Sequence, residues 1–172
     1  MGRSFRYQRT FRVTAAEQRP KAESHVAWRV RVAKLWGRSS KARVVLRPYF
    51  EEGWVAAVKA EDWEKSPLRA ELTRLERLLN HGIDDAPARD VRRKLGALFE
   101  GNFSSGNITI PSEIVWMLRE IAPSRDLTVV DAGPYLEIWP TTSWQRRMRG
   151  LSARRTPSSA RPAETPAKGE RA

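Results

Sequence analysis

Cysteine is absent from this 172-residue chain, and histidine occurs only twice. Without cysteine there is no disulfide framework and no thiolate metal site, which fits a reducing compartment such as the cytoplasm. His25 and His81 stand far apart in the sequence, and neither has another histidine at a metal-ligand spacing. We therefore expect no bound metal and no secreted disulfide scaffold.

Long apolar runs are also missing. No segment approaches the roughly 20 apolar residues that a membrane span requires, and the charged N-terminus contains no apolar signal segment. The chain has no phosphate-binding loop, no dinucleotide-binding glycine motif and no nucleophile elbow. Adjacent acids such as Asp84 and Asp85 do not define a two-carboxylate catalytic geometry. The sequence thus predicts a soluble, non-enzymatic protein with no catalytic residue, no cofactor and no membrane partner.

Residues 106–145 show a pattern of strand, helix and two further strands. Ile108 and Ile110 alternate with polar residues, as in a half-buried strand. Pro111 and Ser112 then begin a helical run. The apolar residues of that run are Ile114, Met117, Leu118 and Ile121. The next predicted elements are strands at 127–130 and 135–139, joined by a turn that contains Gly133 and Pro134.

A fainter copy of this order stands earlier in the chain. Its strand, short helix and two later strands are predicted from Val30 and Val32, Leu35 and Trp36, residues 44–46, and Trp54, Val55 and Val58. Each copy ends near a tryptophan, Trp63 or Trp144, where an aromatic side chain can cover a small core. Coincidence is the alternative, because any small α+β domain shows such patterns. The shared order and spacing favour a tandem repeat.

Three short motifs mark the second copy: Ile108-Thr109-Ile110-Pro111 before the helix, Leu136-Glu137-Ile138-Trp139 at the end of a hairpin, and the closing Trp144. With the order of elements across residues 26–146, they resemble the MraZ branch of the AbrB-like transcriptional regulators. The resemblance implies a paired, interleaved β fold that binds DNA and assembles into oligomers. The expected fold class is α+β, with tandem pseudo-two-fold repeats of β-barrel type, a helical hairpin between them and a disordered C-terminal tail.

This interpretation divides the chain into five segments. They are a basic aromatic arm at 1–25, a first repeat at 26–65, a helical connector at 66–100, a second repeat at 101–146 and a basic disordered tail at 147–172. In the connector, Ser66 and Pro67 begin one helix, and a second helix extends to Phe99. The first helix has a predicted apolar stripe of Leu68, Leu72, Leu75, Leu78 and Leu79. From Thr156 onward no apolar face is available to offset the entropy of ordering.

The DNA-contacting motif of the family, Asp-x-Lys-Gly-Arg before the strand, is incomplete in both copies. The second copy has Phe103-Ser104-Ser105-Gly106-Asn107, in which only Gly106 agrees. The first copy has His25-Val26-Ala27-Trp28-Arg29, in which only Arg29 agrees. The resemblance therefore implies Arg29 as a DNA contact. We add Arg31, on the same strand face two residues later, and Asn107 as a candidate for contacting bases.

Charge is concentrated at the two ends of the chain. Residues 1–31 contain 8 Lys or Arg against 2 Glu, and residues 146–172 contain the same numbers, so each end has a net charge of +6. The total is +12, and the segment between the ends is therefore neutral. A neutral body with cationic ends is typical of a polyanion binder, because each end can neutralise phosphates and release counterions. Nucleic acid, and double-stranded DNA in particular, is the predicted partner.

The two basic ends differ in composition. The first has arginines three residues apart with aromatic residues between them, which can pair with phosphates, stack on bases or enter a minor groove. Its candidate contacts are Arg3, Arg6, Arg9 and Arg12. The alternative is a strand whose apolar residues, Phe5, Tyr7, Phe11 and Val13, pack on the core while the arginines face water. The second basic end, with Arg146, Arg147 and Arg149, is either a nonspecific nucleic-acid tether or a solubilising tail.

Two functions fit these observations. The first is a DNA-binding transcriptional regulator, cytoplasmic or associated with the nucleoid. It would be at least dimeric, because half of such a fold alone exposes strand edges and tryptophans. The second is a diverged assembly or adaptor module whose basic ends bind DNA or RNA loosely. A preference for one duplex sequence separates the two functions.

Overall fold

The computed structural model describes residues 9–19, 25–80 and 97–155, and a single antiparallel sheet dominates this part of the chain. Its strands are β1 Arg9–Thr14, β2 Ala16–Gln18, β3 Ala27–Arg31, β4 Ala42–Tyr49, β5 Trp54–Lys59, β6 Phe99–Ser104, β7 Asn107–Ile110, β8 Asp126–Asp131 and β9 Leu136–Pro140. The helices are α1 Ala33–Trp36, α2 Pro67–Asn80, α3 Ser112–Ile121 and α4 Thr141–Arg155, with a 3-10 helix at Ala60–Lys65. The prediction of a mixed helix-and-strand protein is confirmed.

The sheet forms a nearly closed barrel. The strand order is β1-β8-β9-β5-β4-β6-β7-β3-β2, so β1 and β2 stand at its two ends. These two strands are consecutive in the chain and are separated only by Ala15, which is buried and whose amide donates a 3.0 Å hydrogen bond to the Arg125 carbonyl. One short bent segment therefore pairs with β8 and then with β3, which leaves little open strand edge.

Alternating side chains explain why the strands close around a core. On β3, Trp28 and Val30 are buried, whereas Arg29 and Arg31 are exposed. On β7, Ile108 and Ile110 are buried in the same way. Because successive side chains on a strand point to opposite faces, one face of each strand is apolar and points into the barrel. The inward residues of other strands complete this main core: Val44, Leu46, Val55, Ala57, Phe103, Leu127, Val129, Leu136 and Ile138.

A second apolar cluster lies on the outside of the barrel. The outward side chains of β5 and β9 include Trp54 and Trp139, and they are covered by the 3-10 helix, α2 and α4. We call this group the outer cluster; its buried members are Trp54, Ala56, Val58, Trp63, Leu68, Leu72, Val130, Trp139 and Trp144. Both predicted closing tryptophans, Trp63 and Trp144, are buried here. They cover the outside of the sheet rather than an end of each repeat.

The segment predicted as an N-terminal arm contributes two strands to the barrel. Of the two alternatives for the basic aromatic end, the structure has the strand for residues 9–18. Phe11 and Val13 pack against the main core, and Arg9 and Arg12 are exposed. Residues 9–18 of the segment assigned to the arm therefore belong to the barrel. Arg3 and Arg6, with Phe5 and Tyr7, lie outside the described residues.

Two other predicted boundaries also differ from the structure. Phe99, predicted as the end of a connector helix, begins β6, which pairs with β4. Residues 147–155, predicted as part of a disordered tail, continue α4, and Met148 packs against the outer cluster. The rest of the second connector helix and the tail from Thr156 lie outside the described residues.

The predicted helices have the expected starts but only part of the expected apolar stripe. Ser66 Oγ accepts a 3.1 Å hydrogen bond from the Leu68 amide at the start of α2. Leu68 and Leu72 are buried, whereas Leu78 is exposed because only the first turns of α2 contact the outer cluster. Within the described ranges, no helix combines the length and the apolar composition needed to cross a bilayer.

Candidate nucleic-acid interface

The outward surface of β3 and β7 contains three of the predicted contacts. Arg29 pairs in register with Thr109 on β7, and Arg31 pairs with Asn107. The residues that alternate with them along each strand are buried in the main core. The outward side chains therefore lie together on one surface, which we call the β3/β7 face. They are Arg29, Arg31, Asn107 and Thr109. Within the described part of the chain, neither Arg29 nor Arg31 forms an ion pair, and both are exposed.

Two neighbouring strands extend this polar surface. Asn102 of β6 is in register with Thr109, and Arg43 of β4 is in register with Asn102. A row of Arg29, Thr109, Asn102 and Arg43 therefore crosses four adjacent strands. An open groove of about 720 Å³ lies beside the face, and we call it the β4–β6 groove. Its polar lining is Gln18, Lys41, Arg43, Asn102, Ser104, Ser105 and Thr109.

Sequence reasoning missed the residues of this groove. Val44 and Leu46 alternate as buried residues of a strand, and Arg43 directly precedes them. This alternation was enough to predict that the Arg43 side chain points outward. The same signal does not show that Arg43 lies beside Asn102, because that contact depends on the pairing of β4 with β6.

A tight turn between β6 and β7 requires a glycine at position 106. Ser105 and Gly106 have positive φ values of 52° and 79°, which glycine adopts without strain. The Gly106 carbonyl accepts a 2.8 Å hydrogen bond from the Val32 amide. A Cβ at Gly106 would lie 2.7 Å from the Ala33 Cβ. This glycine is therefore required by the backbone, independently of any ligand.

Phe103 and Trp28, which the predicted resemblance sets against residues of the Asp-x-Lys-Gly-Arg motif, are core residues. Phe103, at the position of the family aspartate, is buried, and its ring meets that of Trp36 edge-on at 5.3 Å between centroids. Trp28, at the glycine position of the first copy, is fully buried on β3. A carboxylate in place of Phe103 would be taken out of water without a partner, which is strongly unfavourable. A glycine in place of Trp28 would leave a large cavity in the core. These two positions belong to the core and not to a binding surface.

The arm contacts Arg9 and Arg12 are on a different strand from Arg29 and Arg31. Both are on β1, which pairs with β8. Arg12 is bonded to the Asp126 carboxylate, and this hydrogen bond lowers the pKa of Asp126 while it raises that of Arg12. The charge of Arg12 is thus compensated locally, whereas Arg9 is exposed.

The three predicted contacts of the second basic end are on α4. The Arg147 guanidinium lies 5.1 Å from the centre of the Trp139 ring and 3.8 Å from the Glu52 carboxylate. Arg146 and Arg149 are exposed. Because α4 packs on β8 and β9, these arginines do not join the β3/β7 face. The structure brings together Arg29, Arg31 and Asn107 on adjacent strands, and the other predicted arginines are on β1 and α4.

The described residues contain no group of three or more His, Cys, Asp and Glu side chains that could hold a metal ion. The chemistry available at the β3/β7 face and the β4–β6 groove consists of guanidinium and ammonium groups beside amides and hydroxyls. Such groups donate hydrogen bonds to phosphates and to base edges. Comparison of the chain with the models of known protein families and with curated proteins found no match.

Proposed function

We propose that this protein is a DNA-binding transcriptional regulator that resembles MraZ, and that it binds duplex DNA through the β3/β7 face without catalysing a reaction. The pair Arg29 and Arg31 is the main observation in favour of this function. Both arginines are exposed on a strand surface, and neither has an ion-pair partner within the described residues. Exposed cations without a local counter-charge attract a polyanion.

Strand pairing supports the proposed tandem repeat. β3 pairs with β7 and β5 pairs with β9, so these strands of the first proposed repeat meet their counterparts in the second. β4 pairs with β6 in the same way as β8 pairs with β1. A two-fold relation between two halves produces this pattern, since each half makes the same contacts with the other. A paired, interleaved fold is what the resemblance to MraZ implies.

The proposed mechanism uses the geometry of the major groove, which admits a two-stranded β-ribbon. An arginine can donate two hydrogen bonds to O6 and N7 of guanine, and an asparagine can bond N6 and N7 of adenine. Arg29, Arg31 and Asn107 have the required side chains on adjacent strands. The arm and α4 arginines would hold phosphates, which adds affinity that depends on salt but not on sequence.

Selection of binding sites from a random duplex pool with the full chain tests this function. We expect an enriched motif that binds about a thousandfold or more tightly than a scrambled duplex. Arg29→Ala should weaken binding to the selected duplex by about 1–3 kcal/mol, and the scrambled duplex should lose less. The matched control is Arg77→Ala, which removes an exposed arginine from α2. Equal losses on both duplexes would remove the base-contacting role of Arg29.

An assembly or adaptor module remains the second candidate. It is favoured by Trp116, which is 70 % exposed on α3 and has no cover in the described part of the chain. Absence of an enriched motif, together with steep and equal salt dependence for all duplexes, would support this candidate. The sequence predicts an oligomer because half of such a fold alone exposes strand edges and tryptophans, but both proposed repeats lie in this one chain and residues 9–18 pair at both ends of the sheet. Oligomer formation now follows only from the family resemblance.

A further inference from the structure

We propose that the β4–β6 groove holds a stretch of the sugar–phosphate backbone of the bound duplex, next to the base contacts made from the β3/β7 face. This inference rests on the proposed function and adds a second part to the binding surface. The residues that would contact phosphates are Lys41, Arg43, Asn102, Ser104 and Thr109. The sequence did not suggest a role for any of them.

The lining of the groove matches a phosphodiester chain. Lys41 and Arg43 are exposed cations on its β4 side. Asn102, Ser104 and Thr109 supply one amide and two hydroxyls on its β6 and β7 side. Phosphate oxygens in protein–DNA complexes accept hydrogen bonds from these same types of side chain. The cations at one wall and the neutral donors at the other favour an elongated anionic ligand.

The distance between this groove and the proposed base contacts is similar to the width of the major groove of DNA. Arg43 and Arg29 are in one cross-strand row and are separated by three strand spacings. Three spacings amount to roughly 14 Å, and the major groove is about 12 Å wide. When Arg29 and Arg31 point at base edges, one backbone of the duplex therefore lies over the β4 side of the surface.

The carboxylate of Glu100 should weaken the binding of DNA to this groove. It is exposed, and its carboxylate accepts a hydrogen bond from Nε of Arg43. The bond holds the Arg43 guanidinium beside Glu100, which is not part of the groove lining, and the negative charge of Glu100 opposes an approaching phosphate. Glutamine keeps an acceptor for Nε and removes the charge. Glu100→Gln should therefore raise the affinity for DNA severalfold at low salt.

The test uses salt titrations of the full chain with the selected and the scrambled duplex. The double variant Lys41→Ala/Arg43→Ala should weaken both duplexes by the same factor. It should also reduce the magnitude of the slope of log K against log salt by about 2, since each lost phosphate contact removes about 0.9. The matched control is Lys65→Ala/Arg77→Ala, which removes two exposed cations that are not part of the groove lining, one on the 3-10 helix and one on α2. Thermal unfolding establishes whether each variant is folded. If the double variant does not fold, the DNA affinity of Glu100→Gln tests the role of the groove instead.

The outcomes separate this inference from the proposed function. An unchanged salt slope in the double variant and unchanged affinity in Glu100→Gln, alongside a loss in Arg29→Ala, would overturn the phosphate groove and leave the regulator intact. A double variant that loses more affinity for the selected duplex than for the scrambled one would show base contacts in the groove, and the phosphate role would be wrong. A wild-type chain without any duplex preference would end the proposed function and the inference together.

Discussion

The β3/β7 face and the corresponding outward surface of β5 and β9 have the same pairing and opposite chemistry. In both places antiparallel strands from the two proposed repeats are joined in register, and alternate residues enter the main core. The outward residues of β5 and β9 include Trp54 and Trp139, which helices cover. The outward residues of β3 and β7 are arginine, asparagine and threonine, and they are partly or fully exposed. The apolar residues that point inward from each strand form the barrel core. The residues that point outward determine whether helices cover that part of the sheet or leave it exposed to a ligand.

Arginine has different roles on these two surfaces. Under the helices, the rings of Tyr49, Trp54 and Trp139 form a stack with centroid distances of 4.0 and 4.9 Å. Arg47 lies over Tyr49 at one end of the stack, and Arg147 lies over Trp139 at the other. These cation–π contacts use arginine for packing. Arg29 and Arg31 have no such ring within the described residues, so their charge is available to solvent or DNA.

Removal of one ring from the covered surface should have the largest effect. Trp139→Ala should lower the free energy of unfolding by about 3–5 kcal/mol, since a buried aromatic is lost and a cavity remains. Chemical denaturation measures this change. Trp116→Ala, at the exposed position on α3, should stay within about 0.5 kcal/mol of wild type. Similar losses in the two variants would contradict the assignment of the outer cluster as core.

Substitution of Gly106, in the turn that leads into β7, tests how the β3/β7 face is held in place. Gly106→Ala should cost about 2–4 kcal/mol of unfolding free energy, because alanine at positive φ is strained and its Cβ would meet Ala33. Gly133→Ala is the matched control: φ is also positive, but the space around it is open, so only about 1–2 kcal/mol should be lost. Equal losses would mean that the contact with Ala33 has no energetic weight.

The buried Arg47 side chain allows a smaller test under the helices. Its guanidinium is 3.3 Å from the Glu71 carboxylate and 3.4 Å from the Leu68 carbonyl. Glu71→Gln leaves a buried cation without its counter-charge, and because Glu71 is 43 % exposed we expect a loss of about 1–2 kcal/mol. Glu76→Gln removes an exposed carboxylate from the same helix and should have little effect on denaturation. A larger loss in Glu76→Gln would contradict the role of the ion pair.

Glu137 should give the smallest effect, and one that depends on pH. Burial raises the pKa of this β9 carboxyl above its usual value of 4.5, although Trp139 Nε1 donates a hydrogen bond to it. A raised pKa in the folded state means that stability from protonated Glu137 is present below the unfolded pKa and is lost as pH rises through the folded value. Glu137→Gln should thus be at least as stable as wild type at pH 7, and its advantage should shrink towards pH 4. Denaturation series at several pH values, with Glu120→Gln as the control, measure this; an advantage that grows in acid would contradict it.

The inward half of the barrel could be predicted from the sequence where apolar residues alternate clearly. Ile108 and Ile110 indicated β7, and Ser66 with Pro67 marked the start of α2. The start of β6 was assigned to a helix, and one of its two inward positions is Gly101, where a Cβ would lie 2.7 Å from the Thr109 carbonyl oxygen. A glycine required by close backbone approach interrupts the apolar alternation that indicates a strand.

The candidate site was predictable only in part, for a different reason. Arg29, Arg31 and Asn107 were predicted as candidates from short local motifs next to a strand, and they lie on the paired strands β3 and β7. Arg43 and Asn102 come together through the pairing of β4 with β6, and periodicity within a short window contains no information about such distant partners. α4 was also underestimated, because Trp144 and Met148 are the main apolar contacts that hold a largely polar helix on the sheet.

The bent segment around Ala15 also limits how the protein can fold. Arg12 on β1 is bonded to Asp126 at the start of β8, a separation of 114 residues. During synthesis, β1 has to remain unpaired until β8 has emerged, and contacts of such long range form slowly. The barrel would therefore close in a late step, and until then β1 and the edge of β8 would be open to other chains. Chaperone dependence and concentration-dependent refolding yield are the expected consequences for this protein.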